Sequence, residues 1–355
     1  MSLPIIATLG GHSALEICLG AKKQGFNTLV IVQKGRAKIY TKYFHGLIDE
    51  SIMVDSFAEI THPKVTNQLK AKNVIFIPHR YCQVYCDLSK LETDFPITVF
   101  GNKFLLKFEE REGKFTQYQI MDRGGIPYPG KIKDPKKIDR LSLVKVNEKE
   151  RKYERAFFFA SSYDEYKEKS WHLLREKRID KEALTNCTIE EYLIGAQINF
   201  NFFYSISSDK IELLGTDIRR QTNIDGLMRI PARQQLDIEH ILYPSYIEAG
   251  HIAVTVKESL LDRAFELAER VVSATRKLVR PGIIGPFALQ CAIIPGPPKE
   301  KIVVYDLSLR IPGSPGTSFT PYSQYQFGHP VSFGERIAME IKEAIKLRKL
   351  DKITT

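Results

Sequence analysis

The stretch Ile283–Gly316, IIGPFALQCAIIPGPPKEKIVVYDLSLRIPGSPG, contains two short apolar runs separated by the turn PGPPKE. Alternation and β-branched residues predict that FALQCAII and KIVVYDLSL are strands, and the turn predicts an antiparallel pair. Gln290 lies on the first strand, Asp306 on the second, and Arg310 follows four residues later. Because Mg²⁺ binds carboxylate or amide oxygens together with substrate phosphates, this hairpin is a candidate cation and phosphate site. A solvent-facing polar row on an ordinary hairpin explains the same residues equally well.

The composition is that of a soluble globular protein with more than one domain. Its 355 residues are 43% hydrophobic, and its apolar runs are shorter than the roughly 20 residues of a membrane span. The beginning, MSLPIIATLGG, lacks the basic region and long apolar core of a signal peptide. The five dispersed cysteines favour neither a disulfide framework nor structural zinc. We therefore expect a cytoplasmic protein without a membrane partner.

The net charge of +10 indicates an anionic partner. Basic and acidic residues are interleaved, as in EYKEKSWHLLREKRIDKE, and such runs are usually solvated helix faces. A nucleic-acid surface and a site for a small anionic ligand both fit the charge, but the sequence lacks the aromatic strand pattern of common RNA-binding modules. We expect small-molecule substrates and no nucleic acid.

The first part of the chain has the pattern of a parallel sheet with crossover helices. A strand at Leu3–Leu9 is followed by the tight loop GGHSA, the helical run ALEICLGAKKQG and the strand NTLVIVQK. Further strands are predicted at Ser51–Val54, Val74–Ile77 and Ile97–Val99. The βαβ pattern predicts a doubly wound domain up to about residue 100.

Two loops of this domain are candidate anion sites. Gly11 leads into a helix N-terminus, where backbone N–H groups and the helix dipole favour an anion, and His12 and Ser13 add donors. Pro78 and His79 follow a strand at its carboxyl end, where ligands bind open α/β sheets. GGHS is not the full dinucleotide fingerprint, which disfavours a nicotinamide cofactor. A tight turn without a ligand is the alternative for the first loop.

Beyond residue 100 the pattern changes to helices and antiparallel strands. Helices are predicted near Lys103–Glu110 and Phe115–Arg123, and the strand LSLVKVNE carries Lys145, which either faces solvent or reaches a buried phosphate. TIEEYLIGAQINFNFFYSI is predicted to be one strand, paired with KIELLGTDIRR in a hairpin around SSDK. SLLDRAFELAERVVSATRKLV predicts a core-packing helix, and GERIAMEIKEAIKLRKL predicts a closing amphipathic helix.

The end of the long hairpin is basic. Arg219 and Arg220 are followed by Asn223 in the run QTNIDGLMR. Guanidinium groups bind phosphate or carboxylate in a bidentate manner, so this cluster is a candidate ligand contact. A basic surface patch is the alternative.

These landmarks resemble those of the ATP-grasp superfamily, in which a doubly wound domain precedes two α+β lobes that clasp ATP between antiparallel sheets. The matching motifs are GNKFLL, GGIPYPG, the lysine strand SLVKVNE, the linking strand IEEYLIG and the opening hairpin. The chain is similar, nearly end to end, to the archaeal formate-dependent synthetases of purine biosynthesis, chiefly through LLGTDIRRQTNIDGLMR and GIIGPFALQ. The resemblance implies a Rossmann-like domain at 1–100, a first ATP-grasp lobe with its linker at 101–192 and a second lobe at 193–355.

The implied reaction is an ATP-dependent ligation. Formate is phosphorylated to formyl phosphate, and the amine of aminoimidazole carboxamide ribonucleotide (AICAR) attacks it to give the formamido product FAICAR, with ADP and phosphate released. Phosphoryl transfer depends on positioning and charge neutralisation, and the substrates attack one another, so no nucleophilic side chain is needed. The resemblance implies ATP and Mg²⁺ or Mn²⁺ as cofactors, and a homo-oligomer.

The resemblance also assigns roles to particular residues. Lys103 and Lys145 would contact the phosphates of ATP, and its adenine and ribose would be lined by Glu190, Glu191, Tyr192 and Leu193. Gln290 and Asp306 would hold the metal ion, and Arg310 would bind the transferring phosphate, which makes Lys145 and Arg310 the catalytic cations. The phosphate and ribose of the ribonucleotide would be bound by Gly11, His12, Ser13, Pro78 and His79, with Arg219, Arg220 and Asn223 closing on it.

The chain departs from the family pattern in three places. Residues 148–155, EKERKYER, contain no glycine where the family has a glycine-rich lid over the phosphates. Arg80 and Tyr81 replace a Gly-Ser pair that lets the backbone reach a phosphate, and Asp306 replaces a longer glutamate. Two other interpretations therefore stay open: a ligase for a different carboxylate or amine, and a non-catalytic nucleotide-binding paralogue.

Overall fold

The computed structural model describes residues 3–111, 113–146, 156–238 and 248–355, and the run 148–155, which stands where the family has its lid, lies outside them. The strands of these residues form three sheets. A parallel sheet contains β1 (Ile5–Leu9), β2 (Thr28–Gln33), β3 (Glu50–Val54), β4 (Val74–Phe76) and β5 (Thr98–Val99). A small antiparallel sheet contains β6 (Ser142–Val146), β7 (Ala156–Ala160) and β8 (Thr188–Glu191). The central antiparallel sheet contains β9 (Ala196–Ser205), β10 (Lys210–Gln221), β11 (Glu248–Ala253), β12 (Gly285–Ile294) and β13 (Lys301–Ser308).

The helices of the same residues lie between these strands and after the last one. They are α1 (Ala14–Lys23), α2 (Pro63–Lys70), α3 (Arg80–Tyr85), α4 (Leu88–Thr93), α5 (Gln117–Gly124), α6 (Tyr163–Arg175), α7 (Lys181–Thr185), α8 (Thr222–Leu227), α9 (Ala232–Asp237), α10 (Leu261–Leu278), α11 (Tyr322–Phe327), α12 (Phe333–Lys346) and α13 (Leu350–Ile353). The predicted helix near Lys103 is a 3₁₀ helix, Lys103–Glu109. In the described part of the chain, no helix has the length and apolar character that a membrane span requires.

The N-terminal sheet is parallel and has the strand order β3-β2-β1-β4-β5, which confirms the predicted doubly wound domain. The chain runs outward from β1 to β3 and then returns to β4 on the other side of β1. The loops that follow β1 and β4 therefore begin at neighbouring strand ends, where ligands bind sheets of this kind. These are the predicted GGHS and Pro78–His79 loops, so the topology places both at one edge.

The central sheet has one apolar face and one face that is partly polar. Successive side chains of a strand point to opposite faces. On β9, Ile198, Phe200 and Phe202 belong to the largest hydrophobic core, to which α10 contributes apolar residues as predicted, whereas Asn199 and Asn201 face away from it. The predicted antiparallel pairing of β12 with β13 is confirmed. On this opposite face Phe203 packs into the core shared with α12, and the polar part lies around Asn199 and Asn201.

One predicted strand is two strands in the structure. TIEEYLIGAQINFNFFYSI divides into β8, which pairs in the small sheet, and β9, which pairs in the central sheet. The expectation of one continuous strand is wrong because the chain changes sheets between them. At this turn Gly195 approaches β12 so closely that an added Cβ would fall 2.5 Å from the carbonyl oxygen of Ile293.

The C-terminal helix α12 packs against α1 of the N-terminal domain. Apolar residues of both helices form a core with β1 and β4. The two helices cross at glycines, since an added Cβ on Gly20 would fall 2.0 Å from the carbonyl carbon of Gly334. The last residue, Thr355, exchanges backbone hydrogen bonds with Val99 of β5. The predicted domain ranges stay predictions, and the C-terminal elements contact the first domain.

We predict that Gly20→Ala destabilises the protein by about 1–3 kcal/mol, because the new methyl group must push two helix backbones apart. The intrinsic helix preference of alanine acts in the opposite direction and is smaller, about 1 kcal/mol. Gly46→Ala is the control, since no atom lies within 4 Å of a Cβ built there. Urea unfolding of both variants measures the change in the free energy of unfolding. If Gly20→Ala were as stable as the parent, α1 and α12 could move apart without loss of stability.

Candidate active site

Four polar side chains form a row across the polar face of the central sheet. Asp306 pairs with Gln290, Gln290 with Asn199, and Asn199 with Asp217, each across neighbouring strands. Directly paired residues present their side chains on the same face. The row therefore contains the predicted Gln290 and Asp306, and it extends to two residues that the sequence analysis did not select.

Gln290 and Asp306 present oxygen atoms that fit a hard divalent cation. The Nε2 of Gln290 donates to Oγ of Ser308 at 3.3 Å, while its buried Oε1 has no hydrogen-bond partner in the described part of the chain. Asp306 Oδ1 lies 2.8 Å from Nη2 of Arg111. Mg²⁺ takes such oxygens and completes its coordination with phosphates and water. Among the described residues, no group of three or more His, Cys, Asp or Glu side chains could hold a metal ion.

Lys145 and Glu190 form a buried ion pair between β6 and β8. The hydroxyl of Tyr118 donates to the other carboxylate oxygen of Glu190. Burial lowers the pKa of Lys145, and the charge of Glu190 opposes that shift. Glu190, which was predicted to line adenine, thus positions the lysine that was predicted to contact the phosphates.

The other predicted adenine-lining residues lie where the chain passes from the small sheet to the central sheet. The backbone N–H of Glu191 donates to Gly130 at 2.9 Å, and that of Tyr192 donates to Leu141 at 2.9 Å. Leu193 follows in the connection between β8 and β9. Their role in lining adenine stays a prediction.

Lys103 is the first residue of the 3₁₀ helix Lys103–Glu109. Its backbone N–H donates to Oγ1 of Thr355 at 3.1 Å, and its ammonium lies over the ring of Phe104. Burial lowers the pKa of Lys103, and Glu92 opposes that shift. None of the contacts described for Lys103 joins it to Lys145, so its role on ATP stays a prediction.

Arg310 is buried at the end of the metal-site hairpin. Its guanidinium donates to Glu109 Oε2 at 3.2 Å, to Gln83 Oε1 at 3.2 Å and to the carbonyl oxygen of Ile311 at 3.0 Å. Glu109 therefore compensates its charge inside the protein. These contacts hold its guanidinium in place, and Asp306 interacts with it electrostatically.

The loop after Arg310 meets the GGHS loop of the N-terminal domain. Ser13 donates its hydroxyl to the carbonyl of Pro312 at 3.1 Å, and an added Cβ on Gly313 would fall 2.1 Å from Cε1 of His12. His12 is exposed, yet the surrounding protein desolvates its imidazole and, together with the charge of Arg310, lowers its pKa to about 2. The fold thus brings the predicted ribonucleotide loop and the predicted metal hairpin to one cleft.

The Pro78–His79 loop lies beside the same cleft. His79 is buried, with Nε2 donating to the carbonyl of Leu9 at 2.8 Å and Nδ1 accepting the N–H of Tyr81 at 3.2 Å, and burial lowers its pKa to about 4. The ring of Tyr81 covers Gly11, since an added Cβ there would fall 2.0 Å from it. The bulky residue after His79 therefore occupies space beside the backbone that was predicted to bind phosphate.

The two predicted arginines point to opposite faces of β10, because they are consecutive residues of a strand. Arg219 shares the polar face, and its Nε lies 3.3 Å from Glu248. Arg220 lies 3.4 Å from Asp225, and Asn223 lies in α8. The structure does not bring the pair together on one side of the sheet.

A charged cluster around His251 continues the polar row. Its Nδ1 contacts Asp217, and its Nε2 lies 2.8 Å from Oε1 of Glu248. Asp217 also accepts from the amides of Asn199 and Asn201, at 2.8 and 2.6 Å. Burial opposes protonation of His251, but the two carboxylates outweigh it and raise its pKa to about 9. The cluster is therefore a carboxylate–imidazolium–carboxylate array next to Arg219.

Comparison with known proteins identifies the family. Family models described as "Domain of unknown function (DUF1297)" and "Protein of unknown function (DUF1246)" match residues 165–355 and 6–132. Proteins named 5-formaminoimidazole-4-carboxamide-1-(beta)-D-ribofuranosyl 5'-monophosphate synthetase are 38% identical in Methanosphaera stadtmanae and 39% identical in Methanothermobacter thermautotrophicus. Each alignment covers 99% of this chain and 94% of the relative. The chain belongs to this synthetase family.

Solved structures support the same assignment at the level of the fold. The IMP biosynthesis protein PurP from Thermococcus kodakaraensis is similar over 99% of this chain and 100% of that chain, with a TM-score of 0.74 and 25% identity. N5-carboxyaminoimidazole synthetase from Staphylococcus aureus, complexed with ADP, covers 89% of this chain and 73% of its own, with a TM-score of 0.59 and 13% identity. The predicted ATP-grasp architecture of this synthetase family member is confirmed.

The sequence analysis missed several residues of the site. Asn199 and Asn201 alternate with phenylalanines in INFNFF, and this period of two could have identified a polar face. No sequence pattern identifies Arg111, because the run EEREGK is typical of a solvated charged surface. Asp217 and His251 become partners only through the pairing of β10 with β11.

We predict that the stabilising effect of His251 depends on pH. The native pKa of about 9 exceeds the ordinary value of 6.5, so the folded state binds the proton more tightly than the unfolded state. The stability difference between the parent and His251→Gln should be full below about pH 6.5 and should vanish as the pH rises through about 9.

Urea unfolding across that pH range measures this difference. Asp217→Asn is the matched control, since it keeps the imidazole but removes one carboxylate that raises its pKa. If the difference in unfolding free energy between the parent and His251→Gln did not change with pH, His251 would not be a charged imidazolium in the folded protein.

Proposed function

We propose that the protein is an ATP-dependent ligase that joins formate to the amine of AICAR, giving FAICAR, ADP and phosphate. Full-length relatives at 38% and 39% identity carry the name of this synthetase. The observation that carries the proposal is the contact between the loop after Arg310 and the GGHS loop, through Ser13 and Pro312. This contact supports a site in which the loop after Arg310 and the GGHS loop act on the same substrates.

The proposed chemistry has two steps that need charge neutralisation more than a nucleophilic side chain. An oxygen of formate attacks the γ-phosphorus of ATP and ADP leaves; the amine nitrogen then attacks the formyl carbon, phosphate leaves and the amine loses a proton. Lys145 and Arg310 would compensate the negative charge of the phosphates. Gln290 and Asp306 would hold Mg²⁺ or Mn²⁺, which when bound supplies further neutralisation of phosphate oxygens.

A ligase for a different amine is the second candidate, and the position of Tyr81 favours it. Its ring covers Gly11, where backbone N–H groups would otherwise approach the phosphate of a ribonucleotide. Incubation with ATP, Mg²⁺ and formate, with AICAR or with a panel of other amines, separates the two candidates by ADP release. ADP release with another amine and none with AICAR would support this second candidate. ATP binding without ADP release in any mixture would instead indicate a non-catalytic paralogue.

We predict that Asp306→Asn lowers turnover by about 100-fold or more, because the carboxylate charge of the cation site is lost. The asparagine oxygen can still accept the hydrogen bond of Arg111, so the thermal midpoint should change far less than the rate. ADP release and thermal unfolding measure the two effects. Asp351→Asn, at an exposed ion pair with Lys352, is the control for a neutralised aspartate. If turnover were unchanged in Asp306→Asn, the carboxylate of Asp306 would not be needed to bind the metal ion.

A further inference from the structure

The ion pair between Arg111 and Asp306 lies where the first lobe meets the central sheet. Nη2 of Arg111 lies 2.8 Å from Oδ1 of Asp306, and the side chains are 16% and 12% exposed. Arg111 also interacts electrostatically with Glu190, the partner of Lys145, and with Tyr118, which donates to Glu190. Its guanidinium is therefore between the candidate cation ligand on β13 and the buried lysine of the first lobe.

Neighbouring side chains hold Arg111 in this place. Glu109 accepts the N–H of Leu309 at 2.6 Å, and Gln117 accepts the N–H of Leu307 at 2.7 Å. Because β13 is an edge strand of the central sheet, these two side chains satisfy backbone donors that no further strand pairs. Arg111 lies between them in sequence, so its contact with Asp306 belongs to a built junction and not to a loose surface pair.

Each side of the ion pair has a buried polar atom without a hydrogen-bond partner in the described part of the chain, and Nε2 of the neighbouring Gln117 also lacks one. The two atoms beside the ion pair are Oε1 of Gln290, an acceptor, and Nε of Arg111, a donor. Buried polar atoms in native proteins are nearly always satisfied, by protein, water or ligand. An acceptor next to a carboxylate fits a cation, and a guanidinium N–H fits an anion such as a phosphoryl oxygen.

We infer that Arg111 and a divalent cation compete for the carboxylate of Asp306. The inference rests on the proposed role of Asp306 as a cation ligand. Two cations at contact distance from one carboxylate repel each other strongly in a largely buried site. A metal ion that binds alone must displace Arg111, whereas one that arrives with a nucleotide brings phosphate oxygens to which the displaced guanidinium can donate. The competition thus makes binding of the metal depend on the nucleotide.

Binding of Mn²⁺ to the full-length protein without nucleotide tests the inference. The comparison is between the parent, Arg111→Met, Asp306→Asn and the double variant, by calorimetry or by the spin-resonance signal of free Mn²⁺. Arg111→Met should bind Mn²⁺ about tenfold more tightly or better, because the competing charge is removed. The gain should disappear in the double variant. Arg263→Met, which removes an exposed arginine paired with Glu266, is the matched control and should leave Mn²⁺ binding unchanged.

Thermal unfolding gives a second readout that does not depend on turnover. Arg111→Met leaves the Asp306 carboxylate without its guanidinium, so Mn²⁺ should raise the unfolding midpoint of this variant more than that of the parent. If Arg111→Met does not fold, Arg111→Gln, which keeps a hydrogen-bond donor but no charge, provides the same comparison.

Three outcomes would overturn the inference. Mn²⁺ binding that is unchanged or weaker in Arg111→Met would make Arg111 a structural residue only. If the gain in Mn²⁺ affinity persisted in the double variant, the cation would bind somewhere other than Asp306. If none of the proteins bound Mn²⁺, there would be no cation site at Asp306. If Arg111→Met bound Mn²⁺ more tightly but the parent did not join formate to AICAR, the competition would be supported and the proposed substrates rejected. Failure of the inference can therefore be distinguished from failure of the proposed function.

Discussion

The alternation of side chains across the central sheet is the constraint on which the rest of the structure depends. One face of β9 and its neighbours packs phenylalanines and aliphatic residues onto α10, so the other face is free to carry amides and carboxylates. The strand register then aligns Asp306, Gln290, Asn199 and Asp217 in a single row. A slip of one residue would turn each of these side chains into the core, where an unpaired charge is very costly. The apolar core therefore holds the polar row in register.

The charges of the cleft are arranged as pairs between different parts of the fold. Lys145 is paired with Glu190, Arg310 with Glu109 and Arg111 with Asp306. Breaking one partner of a buried pair is strongly destabilising, which makes these contacts effective in fixing positions even where they add little net stability. In the proposed reaction, the phosphates of ATP would meet Lys145 and Arg310 already held in place by Glu190 and Glu109, and catalysis by charge neutralisation requires such preorganisation.

Much of the fold was predictable from local patterns. The parallel N-terminal sheet, the two antiparallel hairpins and the long helices follow from periodicity and turn residues, and the structure confirms them. The sequence analysis missed β11 and several short helices, and it missed the break between β8 and β9, where apolar alternation continues through a change of sheet. Periodicity reports which face of a strand is buried, but it does not report which sheet the strand joins.

The sequence by itself determined the strands that carry Gln290, Asp306 and Lys145, the loop that carries His12 and Ser13, and membership of a recognisable family. Only the tertiary structure decided that residues about 300 positions apart, such as Ser13 and Pro312, share one cleft. It also decided which charges are paired: Arg111 reads as part of a solvated run, and its partner lies on a strand formed much later in the chain. The physical reason is that residue type and spacing specify local conformation, whereas ion pairs and cleft contacts depend on how distant elements pack.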